Sequence, residues 1–289
     1  MGPFLRVVTQ GTRVPEERLQ EVARHYEATG GASPYNRYAL LLAGKVQRGL
    51  REAGIQLPLF LGMKNWHPFL QEEIQKIKQQ GLTCGLGVVL APHRSEASFG
   101  KYLRGVEEAK QQAQAPELTY DYLPSWYRHP LFIEAQADRV REVLRDFSQR
   151  ERGETHLTFC AHSIPIEMDR NSDYSGQVRE SGALVAHALN FPAWSVAYQS
   201  RSGPPDQPWL EPDILQAVRQ VKEKGWRRII IIPVGFIFDH TEVLYDLDIE
   251  AGREAGRLGL HFKRASTVMD HPSFVELFVR LIQERIAAS

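Results

Sequence analysis

Arg228-Ile-Ile-Ile-Ile-Pro-Val-Gly-Phe-Ile-Phe-Asp-His-Thr-Glu242-Val-Leu-Tyr-Asp246-Leu-Asp-Ile-Glu250 changes character at Asp239. Before it, Ile229 to Phe238 carries no charge but is interrupted by Pro233 and Gly235, and it is far shorter than the ~20 apolar residues of a membrane span. It reads as a strand buried on both faces, the pattern of a parallel sheet sheathed by helices. Beyond Asp239 the acids recur every four residues. If a helix begins near Thr241, then Glu242, Asp246 and Glu250 share one face. Stacked like charges repel, and helix N-termini attract acids, so a solvated acidic face is the bland reading. A row starting at the end of so apolar a strand instead suits a path for a hydrated divalent cation or a chain of proton acceptors.

Outward from this stretch, short apolar runs alternate with helix-period segments along the chain, which gives an α/β fold with a mostly parallel sheet. Strands are expected over Pro58–Gly62, Gly85–Ala91, Leu118–Tyr122, Leu157–Ala161, Ala193–Gln199, Arg228–Pro233 and His261–Ser266. Helices are expected to start near Pro15, Asn36, Pro68, Glu96, Pro130, Tyr174, Pro212, Thr241 and Pro272, several with Pro in the first turn, where its missing N–H costs nothing. Lys78-Gln-Gln-Gly81 and Lys222-Glu-Lys-Gly225 each close a helix on a glycine. They belong to an internal echo. Trp66-His-Pro68, a helix to Gly81 and a strand ending at Pro92 parallel Trp209-Leu-Glu-Pro212, a helix to Gly225 and a strand ending at Pro233. Two halves on one plan follow, residues 1–128 and 129–289, with the last helix crossing back onto the first. In such folds ligands bind beyond the C-terminal strand ends, and between two halves that place becomes a cleft.

The 289 residues carry 35 basic and 35 acidic side chains. Balanced charge argues against a broad footprint for nucleic acid or anionic lipid, and so for a small ligand. No signal peptide or membrane-spanning segment is legible, which places the expected protein in the cytoplasm; it is expected to be a monomer. Cys84 and Cys160 form no metal-binding spacing and read as buried thiols.

Thr158-Phe-Cys-Ala-His162-Ser-Ile-Pro165 puts a histidine just past a strand end, where a neutral imidazole can serve as base or metal ligand. A strand-end histidine bonded to its loop is the alternative. Ser163 points away from its neighbour and lacks a nucleophile elbow. Gly85-Leu-Gly87 lies inside a strand without a third glycine, poor evidence for a dinucleotide site. Gly30-Gly31-Ala-Ser33-Pro34 forms a sharp loop whose N–H groups and hydroxyl can hold a carboxylate, or simply stop a helix. His93 and His240 each follow a strand-ending proline, where capping and packing are the simpler roles. Tyr26, Tyr102, Trp126, Tyr127, Trp194, Tyr198 and Trp209 gather near strand ends, where flat side chains can sandwich a flat ligand.

Phe159-Cys-Ala-His-Ser-Ile-Pro165, Tyr198-Gln-Ser-Arg201 with Pro208-Trp-Leu-Glu-Pro212, and Pro233 through Glu250 together resemble the ferrochelatases, which insert ferrous iron into a porphyrin. The likeness extends through His25-Tyr26, Gly30 to Pro34, Leu90-Ala-Pro-His93, Ser98 to Tyr102 and Ser125-Trp-Tyr127, nearly the whole chain. It implies two Rossmann-like halves of the chelatase class enclosing a porphyrin cleft. It further implies His162 and Glu242 as the catalytic and metal-site pair, Asp246 and Glu250 as the acidic relay, and Tyr26, Ser33 and Tyr102 as porphyrin contacts. Iron is then a substrate, no iron–sulfur cluster is expected, and the partners are a porphyrin and ferrous iron in haem synthesis. The Ala-Pro-His and Ser-Trp-Tyr strings look most like the Gram-positive type, which uses coproporphyrin III; protoporphyrin IX is the other candidate. A porphyrin carrier that binds without turnover and a cobalt- or nickel-inserting chelatase are the competing functions. Family members usually open with a strand and a Gly-Pro loop ahead of the segment like Pro3-Phe-Leu, so the first half is expected without that strand. They also often carry Arg where this chain has His25.

Overall fold

The computed structural model of the protein describes residues 16–203 and 206–288, and within them the expected alternation is present as two parallel sheets. The smaller pairs β1 (Cys84–Gly87) with β2 (Thr119–Tyr122). The larger runs β4-β3-β5-β6, from β3 (Thr155–His162), β4 (Trp194–Gln199), β5 (Arg228–Ile232) and β6 (His261–Arg264). All pairings are parallel, so every crossover is helical and the C-terminal strand ends of each sheet lie along one edge.

The isoleucine run is explained by two-sided burial. Ile230 and Ile232 pack into one core with Leu157 and Phe159 of β3, while Ile229 and Ile231 point into the other with Cys160. All four isoleucines are fully buried, each contributing about 1.5–3 kcal/mol relative to exposure. Helices Pro130–Leu144, Tyr174–Ala188 and Pro272–Ala287 cover the first face, and Ile214–Glu223 and Gly252–Arg257 the second. Pro130 and Pro272 open their helices as expected, and His129 and His271 cap them by accepting from the N–H two residues on. The last helix bridges to the N-terminal part of the chain. Val279 lies against Gly49, where a Cβ would come within 2.8 Å of its methyl, and Arg285 pairs with Asp121. No helix among the described residues is long and apolar enough to cross a membrane.

Four expectations need correction. Residues 58–62 are not a strand: Leu59 and Leu61 face one core and Phe60 another, as in a strand, but no neighbouring strand among the described residues supplies a ladder. Strand β1 ends at Gly87, before the expected Ala91. Cys84 is exposed at the edge of its sheet, whereas Cys160 is buried. The helix after Thr241 winds as a π-helix over Val243–Ala251. Two short helices, Gln149–Gly153 and Ile166–Arg170, were not expected. Pro3-Phe-Leu and the start near Pro15 lie outside the described residues.

One glycine fixes how the chain leaves β5. The Gly235 N–H donates to the Cys160 carbonyl (3.0 Å), and a Cβ on Gly235 would sit 2.6 Å from Ala161 Cβ and 2.7 Å from its Cα. The turn after β5 therefore crosses directly over the end of β3, next to His162. Backbone cannot move aside as a flexible side chain does, so Gly235→Ala is expected to lower unfolding free energy by ~1–3 kcal/mol in urea titration. An unchanged midpoint and slope would show that this approach is not tight.

Candidate functional site

The site grows from the last residue of β3. His162 pairs in register with Gln199 at the end of β4, and the N–H of Ser163 donates to the Gln199 carbonyl (2.8 Å). The imidazole Nδ1 lies 2.5 Å from the Ser163 carbonyl oxygen. A carbonyl only accepts, so Nδ1 carries the proton and the Nε2 lone pair is left available for a proton or a metal. The Ser163 hydroxyl turns away and donates to the Leu210 carbonyl (3.0 Å), which removes it as a nucleophile.

The chain leaving β5 brings the second set of groups to the same edge. Asp239 is held by the Arg264 guanidinium (3.0 Å) and the Thr267 N–H (3.1 Å), and Arg264 also grips Asp248 through two nitrogens. These two acids anchor the segment to β6. The Nδ1 of His240 accepts the Glu242 N–H (3.2 Å), and burial keeps the His240 imidazole below its ordinary range. Glu242 is exposed where the π-helix begins. A π-helix bonds i to i+5, is rare, and is frequently found at functional sites. Its wider turn keeps Glu242, Asp246 and Glu250 as a row on one side.

The row is not uniform in environment. Asp246 accepts from the Ser200 hydroxyl and from Gln199 Nε2 (3.1 Å). Burial first, then the charges of Glu242 and Glu250, lift its carboxyl from the ordinary 3.8 to about 6, against the Ser200 bond and the nearby His162. Glu250 is raised more mildly by burial and by Glu21. A carboxyl poised near neutrality between an exposed glutamate and a histidine can take up and release protons at physiological pH.

Residues from the N-terminal part face this edge with aromatic rings. Tyr26, on the helix Glu16–Ala28, reaches the Thr241 side chain and feels the Glu242 charge; burial raises its phenol. The His25 ring stacks on Tyr245 of the π-helix, with centroids 3.6 Å apart. Ser33 accepts the Tyr35 N–H (3.4 Å), and the Tyr35 ring meets Phe238 edge-on at 5.1 Å and His240 at 6.1 Å. Tyr102 lies close enough to Tyr35 to perturb it. Thus His162, Glu242 and Asp246 are brought together, Tyr26 joins them directly, and Ser33 and Tyr102 adjoin them through Tyr35. Glu250 sits further along the row. Among the described residues no group of three or more His, Cys, Asp or Glu forms a ready-made metal cage.

His93 is a packing residue. Its Nε2 bonds the Ser181 hydroxyl (2.9 Å), which itself donates to the Tyr127 carbonyl. The sequence assigns no individual role to Tyr35, nor to Gln199 and Ser200 within the Tyr198-Gln-Ser-Arg201 string. Gln199 closes the expected strand Ala193–Gln199, and the parallel register of β4 with β3 sets it beside His162.

The family model described as Ferrochelatase matches residues 1–286. A ferrochelatase from Rhodopirellula baltica is 38% identical over 98% of this chain and 81% of its own length. A coproporphyrin III ferrochelatase from Nocardia farcinica is 38% identical over 98% of this chain and 83% of its own. Among solved structures, SirB from Bacillus subtilis with Fe3+ superposes with a TM-score of 0.61 at 12% identity, over 86% of this chain and 89% of that one. CbiX, described as the terminal enzyme of sirohaem biosynthesis in denitrifying bacteria, gives 0.58 at 16%, over 87% and 92%. At such identities these likenesses establish the chelatase fold.

The Asp246 environment has a measurable signature. Its folded-state pKa is raised, so the native state holds the proton that the unfolded chain has released between about pH 4 and 6. Stability is therefore greatest below that window and falls by up to about 3 kcal/mol as pH rises through it. Asp246→Asn should flatten this slope and raise stability at pH 8, read from urea unfolding at pH 4.5 and 8. A variant whose pH slope matches the parent would remove the buried carboxyl from the account.

Proposed function

The chain belongs to the ferrochelatase family, and on that premise we propose that it inserts ferrous iron into coproporphyrin III at the edge where β3, β4 and β5 end. The observation that carries this reading is the His162 imidazole, its Nδ1–H tied to the Ser163 carbonyl and its Nε2 lone pair free beside the acidic row. Support for the tetrapyrrole comes from the relative of Nocardia farcinica, which is named a coproporphyrin III ferrochelatase.

Inserting Fe2+ releases the two protons of the free porphyrin's pyrrole nitrogens, so the site needs acceptors as well as a metal path. His162 receives a pyrrole proton at Nε2 or ligates the incoming iron there; a neutral imidazole is required for either. Glu242, exposed at the head of the π-helix, meets the hydrated iron first, and Asp246 and Glu250 carry protons away along the row. Tyr26, Ser33 and Tyr102, contributed by the N-terminal part, hold the macrocycle. Binding energy from the ring faces and propionates is available to bend the ring and expose its nitrogens. Iron is substrate, no resident cofactor takes part, and the enzyme works as a cytoplasmic monomer.

His162→Ala is expected to lower the rate of iron insertion by about 10²–10⁴-fold, followed by the change in porphyrin absorbance, with porphyrin affinity by fluorescence quenching within about threefold. Glu242→Gln should chiefly raise the KM for iron. Turnover retained in His162→Ala would sink the assignment, and a parent protein that binds porphyrin without metallating it would make the chain a carrier.

A further inference from the structure

We infer that Gln199 and Ser200 are positioning residues that lock the acidic π-helix to the strand end bearing His162, so that proton acceptor and metal path keep a fixed relation. The inference rests on the iron-insertion reading above.

Gln199 touches both sides of the site. Its backbone carbonyl accepts the Ser163 N–H (2.8 Å), and its Cα is the register partner of His162. Its buried side chain faces the other way. Nε2 lies 3.1 Å from Asp246 Oδ2, 3.4 Å from the Glu242 carbonyl and 3.2 Å from the Ser200 hydroxyl, while Oε1 accepts from the Cys160 thiol (3.4 Å). The Cys160 contact fixes which way the amide points: with Oε1 on the thiol, both N–H groups face the π-helix. A flipped amide would set Oε1 against the Asp246 carboxylate. Cys160, a thiol whose burial holds it protonated, thereby acquires a role as donor.

Ser200 supplies the second observation. It is a non-glycine residue in the left-handed region, φ 59°, and in that conformation its hydroxyl donates to the same Asp246 oxygen. Serine is strained there, glycine is not, and such strain is retained where the geometry it creates is used. Left-handed backbone turns the chain sharply at the strand end and aims the hydroxyl back at the π-helix. Two donors on one carboxylate oxygen, from adjacent residues of one strand end, form a clamp.

The test compares Gln199→Met, Ser200→Ala and Ser200→Gly with the parent. Ser200→Gly relieves the backbone and should match or exceed the parent's unfolding midpoint, yet all three should lose kcat for iron insertion by roughly ten- to a hundredfold with KM for porphyrin unchanged. Hydrogen–deuterium exchange of amides 243–251 should quicken by roughly tenfold in each variant, with β3 unaffected. Parent-like turnover in Ser200→Gly, or parent-like exchange over 243–251 in every variant, overturns the clamp. If the parent itself fails to metallate porphyrin, the functional reading falls, and the exchange measurement still decides whether the clamp exists.

Discussion

The structure depends on the parallel pairing of β3 with β4 on one side and β5 on the other. Parallel strands end together, so this single arrangement delivers His162, Gln199 and the turn after Ile232 to one edge without any loop having to search for its partner. The pairing is in turn imposed by side chains. Strands buried on both faces must be apolar throughout, and the isoleucines of β5 divide alternately between two cores. Gly235 completes the constraint, since only a residue without Cβ allows the exit turn to lie against Ala161. A shift of β5 by one residue would exchange its two core faces and separate His162 from Glu242 at once.

Against this rigid frame the acidic row is a local expense. Asp246 is kept largely from water beside two other carboxyls, and its desolvation outweighs the bonds from Ser200 and Gln199. Nothing in folding requires a carboxyl at that point, and an amide would satisfy the same donors. The structural acids nearby behave differently: Asp239 and Asp248 both pair with Arg264, which fastens the segment to β6. The contrast separates the acids that fasten the segment to β6 from Asp246, whose carboxylate oxygen is met by the neutral donors of Gln199 and Ser200.

Much of this was legible in the chain. Strand-end positions follow from apolar runs, and the row at Glu242, Asp246 and Glu250 from simple spacing. The π-helix was not, because its extra residue per turn leaves no mark in a four-residue repeat of acids; α and π windings both put such residues on one side. Residues 58–62 have every local feature of a strand, and they fail as one because a strand is defined by its neighbour's hydrogen bonds. The roles of Gln199 and Ser200 were hidden for a related reason: each acts through contacts more than forty positions away, and the left-handed backbone at Ser200 has no signature in a serine.

The groups gathered at this edge from the two parts of the chain differ in chemistry. Among the candidate residues, the C-terminal part contributes His162 at the end of β3 and the acids Glu242 and Asp246 on the segment that follows β5. The N-terminal part contributes Tyr26, Ser33, Tyr35 and Tyr102, rings and a hydroxyl whose phenols are pushed up by burial and stay uncharged. The acidic side therefore carries the negative charge of this edge, and the aromatic side carries none. The two sides arise from separate stretches of chain, joined here by Tyr35 against Phe238 and by His25 stacked on Tyr245, so a substitution among the rings leaves untouched the β3–β5 register that positions His162.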